Sequence, residues 1–477
     1  FNEADNCYEI GSAEQLAWFA FKVNSGEIDL NGRVTANLDM TGIDYGGTSG
    51  TPLPWVSIAS EPSGYTYIGT FDGGYYAIDN LRCVTGANTS GAGLIGWIGS
   101  NGEKSATVRG VHIRKNCYFE ATTYAAGVVG GVRSEKSAVT VTECMNEGTA
   151  RSRDSHAGGI VGGVSNGTLN LSDCGNLGSV GGAGRTGGLV GWFNSGSNKN
   201  HRVVNSYSVS SGAESALGGA AIGGVVYNAN NYYVAGGISG TASAVSGTKL
   251  TDSQMRSWAF AYLLNGKRVD GTWVGKSGGY PVPEGSSKKP LHTWEDIGQG
   301  MAWNWLTEAQ PSGGGTSPAD PYQITNAAQL GWFAYQVNSG TKPNACAKLL
   351  NDIDLCGDNY GWSAENPIRW NPVGTSAKPY TGTFDGNGKL ISYMKVEHDG
   401  AAGLFGYAGG GAVIENVGLA QSGSIKNISA DGTAAEVGTA AFVGSVKSNG
   451  TSAGITIQNC YNRASVAGIT GSKTGAF

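Results

Sequence analysis

Charge is scarce in this chain. Asp, Glu, Lys and Arg make up 14% of its 477 residues, against about a quarter in ordinary soluble domains. The formal net charge is −5, and the densest basic run is Lys288-Lys289. So few cations cannot neutralise a phosphate backbone or an anionic bilayer, which excludes nucleic acid as a partner. No window approaches the roughly 18 uninterrupted apolar residues of a spanning helix, so no membrane insertion by this segment is expected. Phe1 opens on polar residues, without the basic start and apolar core of a signal peptide. Histidine is sparse and scattered, at His112, His156, His201, His292 and His398, with no H-E-x-x-H. That leaves no zinc peptidase site, and no cofactor is expected.

Glycine is in excess, at 80 residues, while 40% of the chain is hydrophobic, with 12 Trp and 21 Tyr. Together these describe a packed, turn-dense β protein and not a disordered one. The glycines are also ordered. Gly93-Leu94-Ile95-Gly96, Gly127-Val128-Val129-Gly130, Gly159-Ile160-Val161-Gly162 and Gly188-Leu189-Val190-Gly191 open 34, 32 and 29 residues apart. Ala221-Ile222-Gly223, Gly403-Leu404-Phe405-Gly406 and Phe442-Val443-Gly444 continue the set. An apolar phase at that period, with turn residues between, predicts one block per layer of a stacked solenoid.

On the large scale the chain is a duplication. Tyr8-Glu9-Ile10 and the run Gln15-Leu16-Ala17-Trp18-Phe19-Ala20 return as Tyr322-Gln323-Ile324 and Gln329-Leu330-Gly331-Trp332-Phe333-Ala334. Gly69-Thr70-Phe71-Asp72-Gly73 returns as Gly382-Thr383-Phe384-Asp385-Gly386. Ser12 with Gln15, Asn326 with Gln329 and Thr251 with Gln254 have capping-box spacing. Leu16, Phe19, Ala20 and Val23 make one helical stripe. Three units follow: a first unit over 1–283, with helices near 12–24 and 251–264; a Trp-rich connector over 284–320; and a second unit over 321–477. Gly475-Ala476-Phe477 repeats the opening of another block, so the second unit is expected to be cut short and to continue into further domains of a longer chain.

Between blocks a second phase recurs: Asn116-Cys117, Glu143-Cys144, Asp173-Cys174, Asn205-Ser206 and Asn459-Cys460. Asn or Asp beside a small residue suits a solenoid corner, because it tolerates left-handed backbone. Stacking then predicts a column of Cys117, Cys144 and Cys174 acting as small apolar fillers. Cys346 and Cys356 are the better disulfide candidate.

The Gly-Leu-apolar-Gly blocks with Asn-Cys-Tyr-Asn between them resemble the GLUG motif repeats of bacterial surface and adhesin-like proteins, also found beside IgA-cleaving peptidase domains. The opening Tyr-x-Ile, the Leu-x-Trp-Phe-Ala helix, Asn351-Asp352-Ile353-Asp354-Leu355 and Phe384-Asp385-Gly386-Asn387-Gly388 resemble what precedes such repeats. The resemblance covers about 10–283 and 320–477. It implies an all-β chain of right-handed parallel β-helix units in tandem with short capping helices, displayed outside the cell. It carries no catalytic residues across.

Few motifs carry chemistry. Gly91-Ala92-Gly93-Leu94-Ile95-Gly96 and Gly182-Ala183-Gly184-Arg185-Thr186-Gly187 match a dinucleotide fingerprint, but neither has the strand before and helix after that pyrophosphate binding needs. Gly163-Val164-Ser165-Asn166-Gly167 matches a nucleophile elbow but sits between coils without a supporting acid or histidine. Asp352 and Asp354, with counterparts Asn37 and Asp39, are calcium candidates by alternation, set against a plain solvated strand face. Glu143 and Asp173 share one phase, as a hydrolase pair would, yet Asn116 and Asn205 hold that place in neighbouring coils, and corner geometry explains the pattern without catalysis. The residue after the block is aromatic in three coils: Trp97, Trp192 and Tyr407. Flat rings on a rigid face suit sugar rings or a partner's pocket, set against the plainer reading that they pack inside or shield the corner. The expectation is a non-catalytic surface protein for adhesion to a host glycan or extracellular protein ligand. The alternatives are a β-helical polysaccharide lyase or hydrolase, and a passive stalk.

Overall fold

The computed structural model describes residues 1–41, 55–60, 64–86, 91–134, 137–194, 200–213, 215–219, 221–222, 225–234, 245–266, 271–276, 279–284, 293–295, 297–298, 310–357, 364–365, 367–429, 438–447, 454–468 and 473–475. It is mostly β, and its sheets are parallel apart from one short hairpin. Two compact units divide the chain: Phe1–Gly266 with Gly271–Lys288, and Lys289–Phe477.

In the first unit successive turns of chain visit five sheets in a fixed order. From Thr107–Arg109 the path runs to His112–Ile113, Tyr118–Ala121, Tyr124–Ala125 and Val129–Ser134, then begins again at Val139–Thr142. Every strand pairs parallel with its counterpart in the next turn. Alternation sends every second side chain inward. Phe71, Val108, Val141, Leu171 and Val203 are therefore register partners, and each is fully buried. The blocks align in the same way: Ile95, Val129, Val161 and Val190 are consecutive partners. The next rung differs from the sequence expectation. Val190 bridges Gly218, and Ala221-Ile222 pairs with Phe193-Asn194, so the fifth layer is Ala216-Leu217-Gly218-Gly219. An earlier rung, Ser57-Ile58-Ala59, lacks the block's glycines but bridges Ile95 through Ile58.

The corner before the second sheet takes left-handed backbone at Glu143, Asp173, Asn205 and Asn230, with φ of 58°, 54°, 51° and 52°. After the first three a small residue follows and closes the turn, and after Asn230 the Asn231 side chain donates to Val203 O. Cys144 Sγ lies 3.1 Å from Thr142 O, Cys174 Sγ 3.2 Å from Ser172 O, and Ser206 Oγ donates to Val204 O at 2.7 Å. Cys117 is not in this column. His112 pairs with Met145, which puts Gly110-Val111 in line with Glu143-Cys144. Cys117 sits one corner further on, its sulfur accepting from Leu81 N and close to Ile78 O. Asn116-Cys117 and Glu143-Cys144 share a motif but form two different corners of a coil.

The helix Ala13–Asn24 buries Leu16, Phe19, Ala20 and Val23 on the first coil, as its stripe predicts. Phe19 meets Tyr67 and Phe71 edge-on, above Gly32, where a Cβ would stand 2.9 Å from the ring. The helix expected near 251–264 is two helices, Asp252–Met255 and Trp258–Leu264. Thr251 and Gln254 complete their capping box, but Ser257 turns to extended backbone and bonds Gln254 O, interrupting the run. The hairpin Trp273–Lys276 with Gly279–Pro283 then folds back on the unit. Trp273 Nε1 donates to Asn205 O and Tyr207 OH to Pro281 O.

The second unit repeats the opening. Its helix Ala327–Asn338 is capped by Asn326. Its main sheet runs Tyr322–Ile324, Ala347–Leu349, Thr383–Ser392, Val413–Leu419, Thr456–Gln458. Part of the expected connector belongs to this unit's core: Trp294 is 1% exposed and Ile297 fully buried. Trp303 and Trp305 lie outside the described residues. Cys346 and Cys356 both remain buried thiols, so the expected bridge is absent. One precedes Ala347–Leu349 and the other follows Ile353–Asp354, so a corner and two strands separate them. Bridged cysteines need Cα atoms within about 7 Å.

Candidate functional site

The first unit gathers rings from four consecutive rungs into one row. Trp97 meets Tyr124 at 5.4 Å between centroids, Tyr124 meets His156 at 5.6 Å, and His156 meets Trp192 at 4.3 Å. Two of the residues expected to bind, Trp97 and Trp192, are thus the two ends of a single feature.

Glycine makes the row possible. Trp97 leans over Gly131, its register partner in the next rung, and Tyr124 leans over Gly163 in the rung after that. A side chain at either glycine would occupy the ring's place. Tyr124 and His156 were missed in the sequence. Each stands three residues before a block's opening glycine, at Gly127 and Gly159, and that recurrent offset is the signal that could have found them.

Exposure grades along the row. Trp97 is 1% and Tyr124 8% exposed, while His156 and Trp192 are half-buried. The Arg133 guanidinium covers Trp97 at 3.6 Å from the ring centroid. Such a contact stabilises by about 0.5–2 kcal/mol, and each edge or tilted ring pair adds about 0.5–1.5 kcal/mol. Trp97 is therefore a supporting ring; the outer end, His156 and Trp192, is what a ligand can reach.

The polar atoms of the row are the unusual part. Trp97 Nε1, His156 Nδ1 and Trp192 Nε1 are all buried with no hydrogen-bond partner among the described residues. Leaving a buried polar group unmade costs about 1–3 kcal/mol. Burial, followed by the charge of Arg185, pushes His156 down to about 4, so the imidazole is neutral at pH 7.

In the second unit Tyr407 is half-buried and borders a cleft of about 700 Å³ with Ser376, Thr439, Ser445, Lys447 and Lys473. Tyr407 pairs with Ser445, and Lys447 Nζ donates to Ser376 Oγ at 2.9 Å.

The calcium candidates have other work. Asp352 Oδ1 accepts from Leu390 N at 2.9 Å and Asp354 Oδ1 from Cys356 N at 2.7 Å. Asn37 Oδ1 accepts from Ala77 N in the first copy, so Asn and Asp interchange because only an acceptor is needed. Among the described residues no three His, Cys, Asp or Glu side chains converge as a metal set.

Glu143 and Asp173 do stand on consecutive rungs, since Thr142 pairs with Ser172. Tyr75 OH donates to Glu143. Burial raises Asp173 to about 6, against the pull of bonds from Ser172 and Asn205.

No protein-family model matches the chain, so the GLUG resemblance rests on the quoted blocks. A stretch of 143 residues, 26% of the chain, is 28% identical to halomucin of Haloquadratum walsbyi and spans 2% of that protein's length. A solved structure from Bacteroides ovatus, described provisionally as an immunoglobulin A1 protease, is similar over 59% of this chain and 93% of its own, at 18% identity and a TM-score of 0.44. Among the described residues no helix is long and apolar enough to cross a membrane.

Proposed function

We propose that this chain is a non-catalytic bacterial surface protein, built of right-handed parallel β-helix units of GLUG type, that captures a glycan at the outer end of the ring row, His156 and Trp192. The observation that carries the reading is the half-exposed pair His156 and Trp192, tilted rings 4.3 Å apart at the outer end of a rigid row. A sugar ring supplies what this pair lacks, an apolar face for the exposed sides of the rings to meet. Stacked rungs support it by holding the rings on a rigid face at fixed spacing. A glycan array probed with the chain and with Trp192→Ala tests it. Binding that the substitution removes supports the reading; an array with no binding, or binding indifferent to Trp192, contradicts it.

A second reading, polysaccharide hydrolysis, is favoured by one observation: Asp173, protonated up to about pH 6, stands one rung from Glu143. Parallel strands are about 4.8 Å apart, near the carboxylate spacing of retaining hydrolases. Release of reducing ends from a polysaccharide panel, lost in Glu143→Gln, would establish it.

A further inference from the structure

The duplication makes one difference between the copies readable. On the second copy the helix face turned away from the coil is closed: Trp332 is 6% exposed and Gln329 7%. Residues 293–295 and 297–298 close it. Trp294 N donates to Arg369 O at 3.0 Å, its indole Nε1 to Leu355 O at 3.1 Å, and Glu295 Oε2 accepts from Asn338 Nδ2 at 3.0 Å. Gly298 packs on the backbone of Gly331.

Among the described residues no corresponding segment closes the same face of the first copy's helix. Trp18, the equivalent of Trp332, is 45% exposed, and Phe21 one turn on is 66% exposed. Part of the set that receives the covering segment recurs around it, although Val56 stands where Asn371 donates to Glu295 at 2.9 Å, and Pro54, in the place of Arg369, lies outside the described residues. Asn24 stands for Asn338, and Met40 stands for Leu355. Trp55 stands for Trp370: each donates its indole N–H to a block carbonyl, Leu94 O at 3.2 Å and Leu404 O at 3.0 Å. Lys22 replaces the buried Gln336 and lies 5.8 Å from the Trp18 ring centroid, ion-paired to Glu27. That adds a cation facing a segment type that carries Glu295 and Asp296.

We propose that the Trp18–Phe21 face of the first helix is a docking site for a peptide segment of Trp-Glu-Asp-Ile-Gly chemistry, the kind that closes the second helix. This is a contact with protein and is independent of the glycan reading. One residue sets its strength. A Cβ on Gly331 would stand 2.0 Å from Trp294 O, and the first copy has Ala17 there. Ala17 holds the segment further from the helix, where the Phe21 ring provides apolar area to meet it. Exposed aromatic patches of this kind mark interaction surfaces.

The test is a labelled synthetic peptide of residues 291–300 titrated onto the full chain, read by fluorescence anisotropy. Saturable binding is expected, weakened about tenfold or more in Trp18→Ala/Phe21→Ala and strengthened several-fold in Ala17→Gly. A peptide with its tryptophan changed to alanine binds no more than background. Both altered side chains are exposed, and an unchanged melting temperature confirms a folded variant. No saturable binding to either the native chain or Ala17→Gly overturns the proposal. So does binding indifferent to the double variant, because the peptide would then be exchanging onto the second copy.

Discussion

Trp97 lies over Gly131 so closely that a Cβ on the glycine would stand 2.4 Å from the indole ring. The alternation of ring and glycine after the apolar block is thus a steric pairing between neighbouring rungs. Gly131→Ala forces the ring off its seat and is expected to cost about 1–3 kcal/mol, the range of overpacked sites. Urea unfolding checks this, with Gly181→Ala as control, since nothing lies within 4 Å of a Cβ there.

The two ends of the ring row differ in kind. Trp97→Ala removes a fully packed ring and is expected to cost about 3–5 kcal/mol. Trp192→Ala, at the half-exposed end, is expected to cost far less and to remove glycan binding. Melting temperature and array signal, measured on both variants, separate support from contact.

Two groups give pH dependences of opposite sign. Burial raises Asp173 to about 6, so the native state favours its protonated form. Its contribution to stability is full below about pH 4 and is lost as pH rises through 6. His156, held down to about 4, contributes above about pH 6.5 and loses that contribution as pH falls toward 4. Asp173→Asn is expected to raise stability above pH 6, and His156→Gln to flatten the acid side. Thermal melts from pH 4 to 8 read both.

The second copy depends on a glycine where the first does not. Gly331→Ala meets the Trp294 carbonyl and is expected to expel Trp294 and Ile297 from their seat, while Ala17 already stands in the equivalent place. Limited proteolysis after that substitution is expected to cut near Trp294, which the native chain protects.

Much of the layer plan was readable because it depends on spacing: Ile95, Val129, Val161 and Val190 recur at nearly one period and fall into register. Errors arose where two corners share a vocabulary. Asn116-Cys117 and Glu143-Cys144 look alike, yet differ by one corner, because local turn chemistry repeats within a coil as well as between coils. The rung at Ser57-Ile58-Ala59 was invisible because burial does not require the block's glycines. The ring row was half legible: Trp97 and Trp192 showed in the block phase, whereas Tyr124 and His156 reach them from the preceding strand. Which rings face solvent depends on what neighbouring rungs lay over them, and one strand's pattern does not carry that.

Everything rests on rungs stacking in register along the first sheet, where Thr70, Thr107, Thr140, Asn170, Arg202 and Tyr227 are successive partners. Pulsed EPR between spin labels at residues 70 and 202, and at 70 and 227, measures that directly. At about 4.8 Å per rung the separations are roughly 19 and 24 Å, rising by one rung between the pairs. Separations that fail to grow by that step, or that fall outside this range by more than the label's reach, would contradict the stacked arrangement and the ring row with it.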